Sequence, residues 1–253
     1  MIIFGIDIRV YFLLFLTYSV AGWCMEVVGK LIEKKKFINR GFLIGPICPI
    51  YGHGCLLMIL TLSRYKDNPL VLFVNAIFIC SLLEYFTSYF MEKIFKARWW
   101  DYSTRKFNLN GRICAETMIP FGILGTLVIC VINPIFEYLL NLFNFETIKI
   151  AAIILFVIYL TDNIISLTIM FGFKGTLKTV EKDGTEEITK KVKDILINKN
   201  ILYKRLVDAF PNFMNPKERL LLIKARVEKD LKKYMKKDQN NVKKDQKDQN
   251  NLK

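Results

Sequence analysis

One histidine, His53, is all the imidazole in this chain of 253 residues, and its six cysteines form no CxxC pair. Zinc and haem enzymes need ligand clusters that such a sequence does not supply. No GxxxxGK[ST] is present, which excludes ATP hydrolysis by a P-loop. HExxH, GxSxG and the dinucleotide fingerprint are also missing. No metal and no cofactor is expected, and the chain is read as having no intrinsic catalysis, although an enzyme built on carboxylates alone stays open. The cysteines (Cys24, Cys48, Cys55, Cys80, Cys114, Cys130) all lie within or beside apolar runs, as small packing residues do.

Acidic residues are outnumbered. The chain carries 37 Lys+Arg against 23 Asp+Glu, a formal charge of +14. Residues 174–253 alone hold 22 basic and 12 acidic side chains, and they follow the last apolar run. Basic segments beside membrane spans are the norm for inner-membrane proteins, so no nucleic-acid partner is expected. Membrane lipids are.

Hydrophobic residues make up 53% of the chain, and the mean hydropathy is +0.28. Apolar runs near twenty residues place it in the membrane class. Five spans are expected, at about 10–32, 42–62, 69–95, 113–133 and 147–171. The first contains Glu26 and lacks a small-residue cleavage pattern, so it is read as a retained span and not a signal peptide. The piece 134–146, PIFEYLLNLFNFE, is too short to span and reads as interfacial or re-entrant.

The second span is broken. NRGFLIGPICPIYGHG, residues 39–54, contains Pro46, Pro49 and four glycines. In hydrocarbon, backbone groups freed in this way are tolerated only where protein or a water-filled cavity satisfies them. A broken span is therefore a candidate site.

The short loops set the orientation. Lys30, Lys34, Lys35, Lys36 and Arg40 flank the first connection, and Lys93, Lys96, Arg98, Arg105, Lys106 and Arg112 the third. The second has only Arg64 and Lys66, and the fourth only Lys149. The positive-inside rule then predicts an outside N-terminus and a cytoplasmic C-terminus in the cell membrane. The expected organisation is a transmembrane helical domain at 1–173, a cytoplasmic amphipathic helical tail at 174–237 and a disordered basic terminus at 238–253. Within the tail, TLKTVEKDGTEEITKKV reads as a hairpin turning at Asp183-Gly184. Helical patterns follow, one up to Pro211 and one after Pro216.

Ionisable groups inside apolar spans are costly and usually face a bundle interior. Here they are Glu26, Glu84, Glu92 and Asp162, with Glu116 near the start of the fourth span and His53 inside the second. Glu84, Ser88 and Glu92 recur at i, i+4 and i+8 on one helix face. Arg40 and Arg112 stand where loops enter spans, positioned to meet these carboxylates, and Asp101 follows Trp99-Trp100 in the third loop. With Pro46 and Pro49, these residues are the candidates for binding a substrate or an ion. Each has a plainer reading. Arg–Glu pairs at helix ends fix packing, Trp99 and Trp100 anchor at the interface, and His53 packs between helices.

TYSVAGWCMEV, NRGFLIGPICPIYGHG, EYFTSYFMEKIFKARWWDYS and NLNGRICAE, in that order, resemble the bacterial family of ABC-transporter permeases of the CmpB type. The resemblance covers about residues 8–135, and the AFP ending at Pro211 is similar too. It implies a permease that moves a small molecule or lipid, energised by a separate ATPase subunit, and it brings no substrate or catalytic residue with it. The loop at 96–112 is the candidate for docking that ATPase. Two rivals stay open. One is a non-transporting membrane scaffold or regulator. The other is an enzyme acting on lipid headgroups, with Glu26, Glu92 or Asp101 as base and Arg40 or Arg112 holding phosphate. A homo-oligomer stays open as well. The fold class expected is an all-α integral membrane protein of about five transmembrane helices, the second broken, with a basic, mostly helical tail.

Overall fold

The computed structural model describes residues 2–3, 6–95, 98–180 and 201–210. A two-residue strand pair, β1 (Ile2–Ile3) and β2 (Ile6–Asp7), leads into helix α1 (Ile8–Lys34). Asp7 caps α1 by accepting the Arg9 N–H at 2.9 Å, and the Arg9 guanidinium closes on the same carboxylate at 2.7 Å. Lys35, in the left-handed conformation, ends the helix by donating to Leu31 O at 2.8 Å. After an irregular stretch come α2 (Pro49–Leu62) and α3 (Pro69–Phe95), each starting at a proline whose missing N–H costs nothing there. The strand pair β3 (Asn108–Leu109) and β4 (Ile113–Cys114) precedes α4 (Ala115–Leu127), α5 (Asn133–Asn141), α6 (Phe145–Val180) and α7 (Ile201–Ala209).

The protein is an all-α membrane protein. Four helical stretches are long and apolar enough to cross a bilayer: Ile8–Lys34, Pro69–Phe95, Ala115–Asn141 and Phe145–Gly172. One expected span and the piece after the fourth take a different form. The second span is not one interrupted helix. Its first third carries no helix, and α2 has only 14 residues, roughly 21 Å against a hydrocarbon core of about 30 Å. The 134–146 piece is not separate from the fourth span: up to Asn141 it continues α4 through α5 as one helical rod. A π-turn at Val128–Ile132 joins them, with the Asn133 N–H donating to Val128 O. The widened turn accommodates Pro134, which has no N–H to give.

The described helices pack in chain order, α1 on α2, α2 on α3 and α3 on α4, while α6 lies against α1. Their core is Leu14, Tyr18, Cys55, Met58, Ile59, Leu62, Leu72, Ala76, Val128 and Ile129. Small residues let the rods approach closely, with Gly125 set against Ala76 and Met58, and Gly52 against Phe15 and Ser19. Much of α6 is exposed, including Ile150, Ile153, Ile154 and Val157, as a lipid-facing helix should be.

A second cluster closes the end of the bundle where α1 and α3 finish, termed here the basic end. Phe95, Trp99, Met170 and Leu206 are its buried members, with Phe42, Trp100 and Phe210 packed around them. The helical pattern expected up to Pro211 is represented by α7. Residues 175–180 continue α6, so the first strand of the expected hairpin is helix instead. The rest of that hairpin, the pattern after Pro216 and the terminal segment lie outside the described residues.

Candidate functional site

The site begins with the irregular stretch between α1 and α2. After Lys35 the chain turns back into the bundle until the Cys48 N–H donates to Ser19 O, near the midpoint of α1, at 3.0 Å. Backbone at that depth must find partners inside the protein. The Ile44 N–H donates to Asp162 Oδ1 at 3.0 Å and lies 3.2 Å from Ser166 Oγ. The Gly45 N–H donates to Asp162 Oδ2 at 2.9 Å. Pro46 has no N–H, and the Ile47 N–H closes on Gly45 O at 2.8 Å. Every donor from Ile44 to Cys48 is therefore satisfied.

Asn39 braces the same stretch. It accepts the Trp23 indole N–H at 2.7 Å and donates to Ile44 O at 2.9 Å. Gly41 has φ +102°, which side-chain-bearing residues rarely adopt, and a Cβ at Gly45 would stand 2.8 Å from Asp162 Oδ2. Pro49 sits in the first turn of α2. Asp162, Pro46 and Pro49 thus act together on one backbone feature.

Beneath this stretch two carboxylates each meet a tyrosine. Glu26 pairs with Arg40 at 3.2 Å and accepts the Tyr51 hydroxyl at 2.7 Å. Glu84 accepts the Tyr102 hydroxyl on Oε1 at 3.2 Å. Its Oε2 is buried without a hydrogen-bond partner among the described residues, as is Ser81 Oγ one turn earlier on α3. Glu84 is only 7% exposed. The two pairs are close enough to interact electrostatically. Burial and the neighbouring Glu84 carboxylate push the Tyr102 phenol well above its ordinary pKa, which keeps it a donor.

Nearer the basic end, Glu92 binds two guanidiniums, Arg98 at 2.9 Å and Arg112 at 2.7 Å, and Asp101 adds a second carboxylate 3.5 Å from Arg98. Two positive and two negative charges balance. Arg98 also donates to Asn110 O at 2.8 Å and Arg112 to Ser88 Oγ at 3.1 Å, with Tyr85 and Tyr89 flanking the Arg112 guanidinium. The Trp100 indole donates to Arg112 O at 3.1 Å. This clamp ties the loop between α3 and α4 to the face of α3. Trp99 is no interface anchor. It is buried, with the Phe210 ring edge-on at 4.9 Å.

Helix α7 closes over the broken stretch. Arg205 donates to Gly41 O at 3.2 Å and also to Leu43 O. Arg40 donates to Ala209 O and lies over the Phe210 ring at 5.3 Å.

Two candidates stand apart from this assembly. Glu116 forms an exposed pair with Arg105 at 2.8 Å. His53 is exposed on α2, where its Nδ1 lies 2.7 Å from Pro49 O and its ring meets Phe15 edge-on. Sequence reasoning missed Tyr51, Ser81, Ser166 and Arg205. A signal existed for Ser81, which extends the polar face of Glu84, Ser88 and Glu92 by one turn. None existed for Arg205, whose partners lie more than 160 positions away. Away from the basic end, Tyr18 near the middle of α1 donates to Asn133 at 3.2 Å and Asn133 to Glu137 at 2.7 Å, a network that the apolar pattern concealed.

A family model described as putative ABC-transporter type IV matches residues 13–167. The chain belongs to that family. The match spans Glu26, the broken stretch, the Glu92 clamp and Asp162, and stops short of α7. No curated protein and no solved structure matches the chain.

Proposed function

We propose that the chain is the permease subunit of a transporter, moving a small solute or lipid through the bundle under the drive of a separate ATPase. The observation that carries this reading is the irregular stretch leading into α2, which we read as a discontinuous second crossing. Irregular backbone at bilayer depth, pinned by Asp162 and facing two carboxylate–tyrosine pairs, is how helical transporters build sites at mid-membrane. Membership of the transporter family and the missing P-loop support the division of labour. With the irregular stretch and α2 together making one crossing, the loop charges favour an outside N-terminus and a cytoplasmic basic end.

A second reading, a non-transporting membrane scaffold, is favoured by the Glu92 clamp, whose charges are spent on one another. The headgroup-enzyme reading is disfavoured, since Arg40 and Arg112 already face carboxylates.

Extraction of the complex from native membranes in mild detergent, followed by measurement of its mass, tests the proposal. The expected result is a stoichiometric added subunit whose peptides include a P-loop, with ATP hydrolysis in the purified complex. A lone protomer or a homo-oligomer would overturn the permease reading and move the scaffold ahead.

A further inference from the structure

We propose that Glu84 is a proton-binding site at the heart of the bundle and that Tyr102 couples its protonation to the loop between α3 and α4. The proposal does not depend on an ATPase partner.

The polar face of α3 presents Ser81, Glu84, Ser88 and Glu92. Its lower half is fully engaged, with Ser88 bound by Arg112 and Glu92 by two arginines. Its upper half is not. Glu84 is buried, and among the described residues no lysine or arginine forms an ion pair with it. The titratable groups facing it are Glu26 from α1 (held by Arg40 and the Tyr51 hydroxyl of α2), Tyr102 from the loop and Cys80 from α3 itself, with Cys114 beside Tyr102. All of them are acids, and none brings a positive charge of its own.

An ionised Glu84 would leave a buried oxygen, Oε2, with a full share of negative charge and no committed donor, since the nearby Thr117 hydroxyl is given to Cys114 O at 2.9 Å. A neutral carboxylic acid removes that charge and turns one oxygen into a donor, in a place where Ser81 Oγ is also unpartnered. A metal ion fits less well, because no group of three or more His, Cys, Asp or Glu among the described residues could hold one. The proton is the cation this donor set suits.

Loss of the proton to water leaves a carboxylate near the Glu26 carboxylate, with the Tyr51 and Tyr102 phenols bonded to the pair. The hydrogen bond from Tyr102 to Glu84 then becomes charge-assisted and draws Tyr102 inward. The Tyr102 backbone N–H is bonded to Gly111 O at 2.8 Å, one residue from Arg112, so this movement reaches the Glu92 clamp.

The test is infrared difference spectroscopy of the full chain in lipid nanodiscs, titrated from acidic to alkaline pH. The expected result is a protonated-carboxyl band that disappears as pH rises and is missing from Glu84→Gln of unchanged elution and melting. In Tyr102→Phe the band should persist to about one pH unit higher, because the anion has lost its donor. If Glu84→Gln does not fold, Glu84→Asp serves instead, and the band must shift in frequency. Identical spectra for wild type and a folded Glu84 variant would overturn the proposal. So would a band removed by Glu26→Gln but kept in Glu84→Gln.

Discussion

Asp162 Oδ2 accepts the backbone N–H of Gly45 at 2.9 Å, across 117 positions of sequence. Its other oxygen takes the neighbouring N–H of Ile44, so one carboxylate inside a membrane helix serves as surrogate secondary structure for a stretch that has none. An intramembrane acid read only from its position is a functional hypothesis by default. Here it holds the irregular stretch between α1 and α2 in shape.

Asp162→Asn should therefore destabilise the protein without changing side-chain volume. An amide offers one acceptor and turns its NH2 towards one of the two N–H groups. A loss of about 2 kcal/mol is expected, as for hydrogen bonds to a charged group. Gly45→Ala should cost a similar amount, since its Cβ would displace Asp162 Oδ2. Thermal melts of both single variants and the double variant in nanodiscs check this. Strict additivity would mean that the two residues are not coupled.

Glu92→Gln should loosen the loop between α3 and α4 strongly. Arg98, whose side chain is 2% exposed, and Arg112 would keep only Asp101 between them. Breaking a buried pair from one side costs about 3–5 kcal/mol. Limited proteolysis should cut near 103–107 in the variant and spare the wild type.

Tyr102 should make the fold sensitive to alkali. Its folded pKa is raised, by burial and then by Glu84, so its contribution is fully present below the unfolded value of about 10. That contribution is lost as pH rises from there towards the folded value. Wild type should lose stability above about pH 10, and Tyr102→Phe should lose less over the same interval. Urea unfolding at stepped alkaline pH, with tyrosinate absorbance as the second probe, reads this out.

Phe210→Ala should detach α7 from the basic end while leaving the bundle intact. The ring is edge-on to Trp99 and lies under Arg40. Such an aromatic pair is worth about 0.5–1.5 kcal/mol beyond its buried area. A red shift in tryptophan emission with an unchanged main melting transition is expected. An unshifted spectrum would mean that Trp99 is shielded without α7.

Hydropathy placed the first, third, fourth and fifth spans close to where α1, α3, α4 and α6 lie, because in a bilayer length and apolarity alone specify a crossing. It did not reveal that 134–141 continues the fourth span, because a π-turn is a detail of backbone hydrogen bonding that leaves no mark in hydropathy. The candidates were legible as residue types and only in part as an assembly. Glu26, Arg40, Glu84, Glu92, Asp101, Arg112 and Asp162 do gather around the broken stretch and the loop beneath it, whereas His53 and Glu116 turn outward. The face of a residue on an isolated helix is periodic and readable, but which neighbour covers that face is not.

By itself, then, the sequence determined a membrane-spanning helical chain, an apolar run broken at Pro46 and Pro49, and a set of buried acids that had to find partners. Each of these follows from local chemistry, either the cost of apolar surface in water or the loss of backbone donors. Tertiary structure alone decided that Asp162 supplies the missing partner for the broken stretch, that Glu92 gathers two arginines while Glu84 pairs with none among the described residues, and that Arg205 and Phe210 return to cover the basic end. Those pairings join residues far apart in the chain, and they exist only once packing has brought the helices within hydrogen-bonding distance.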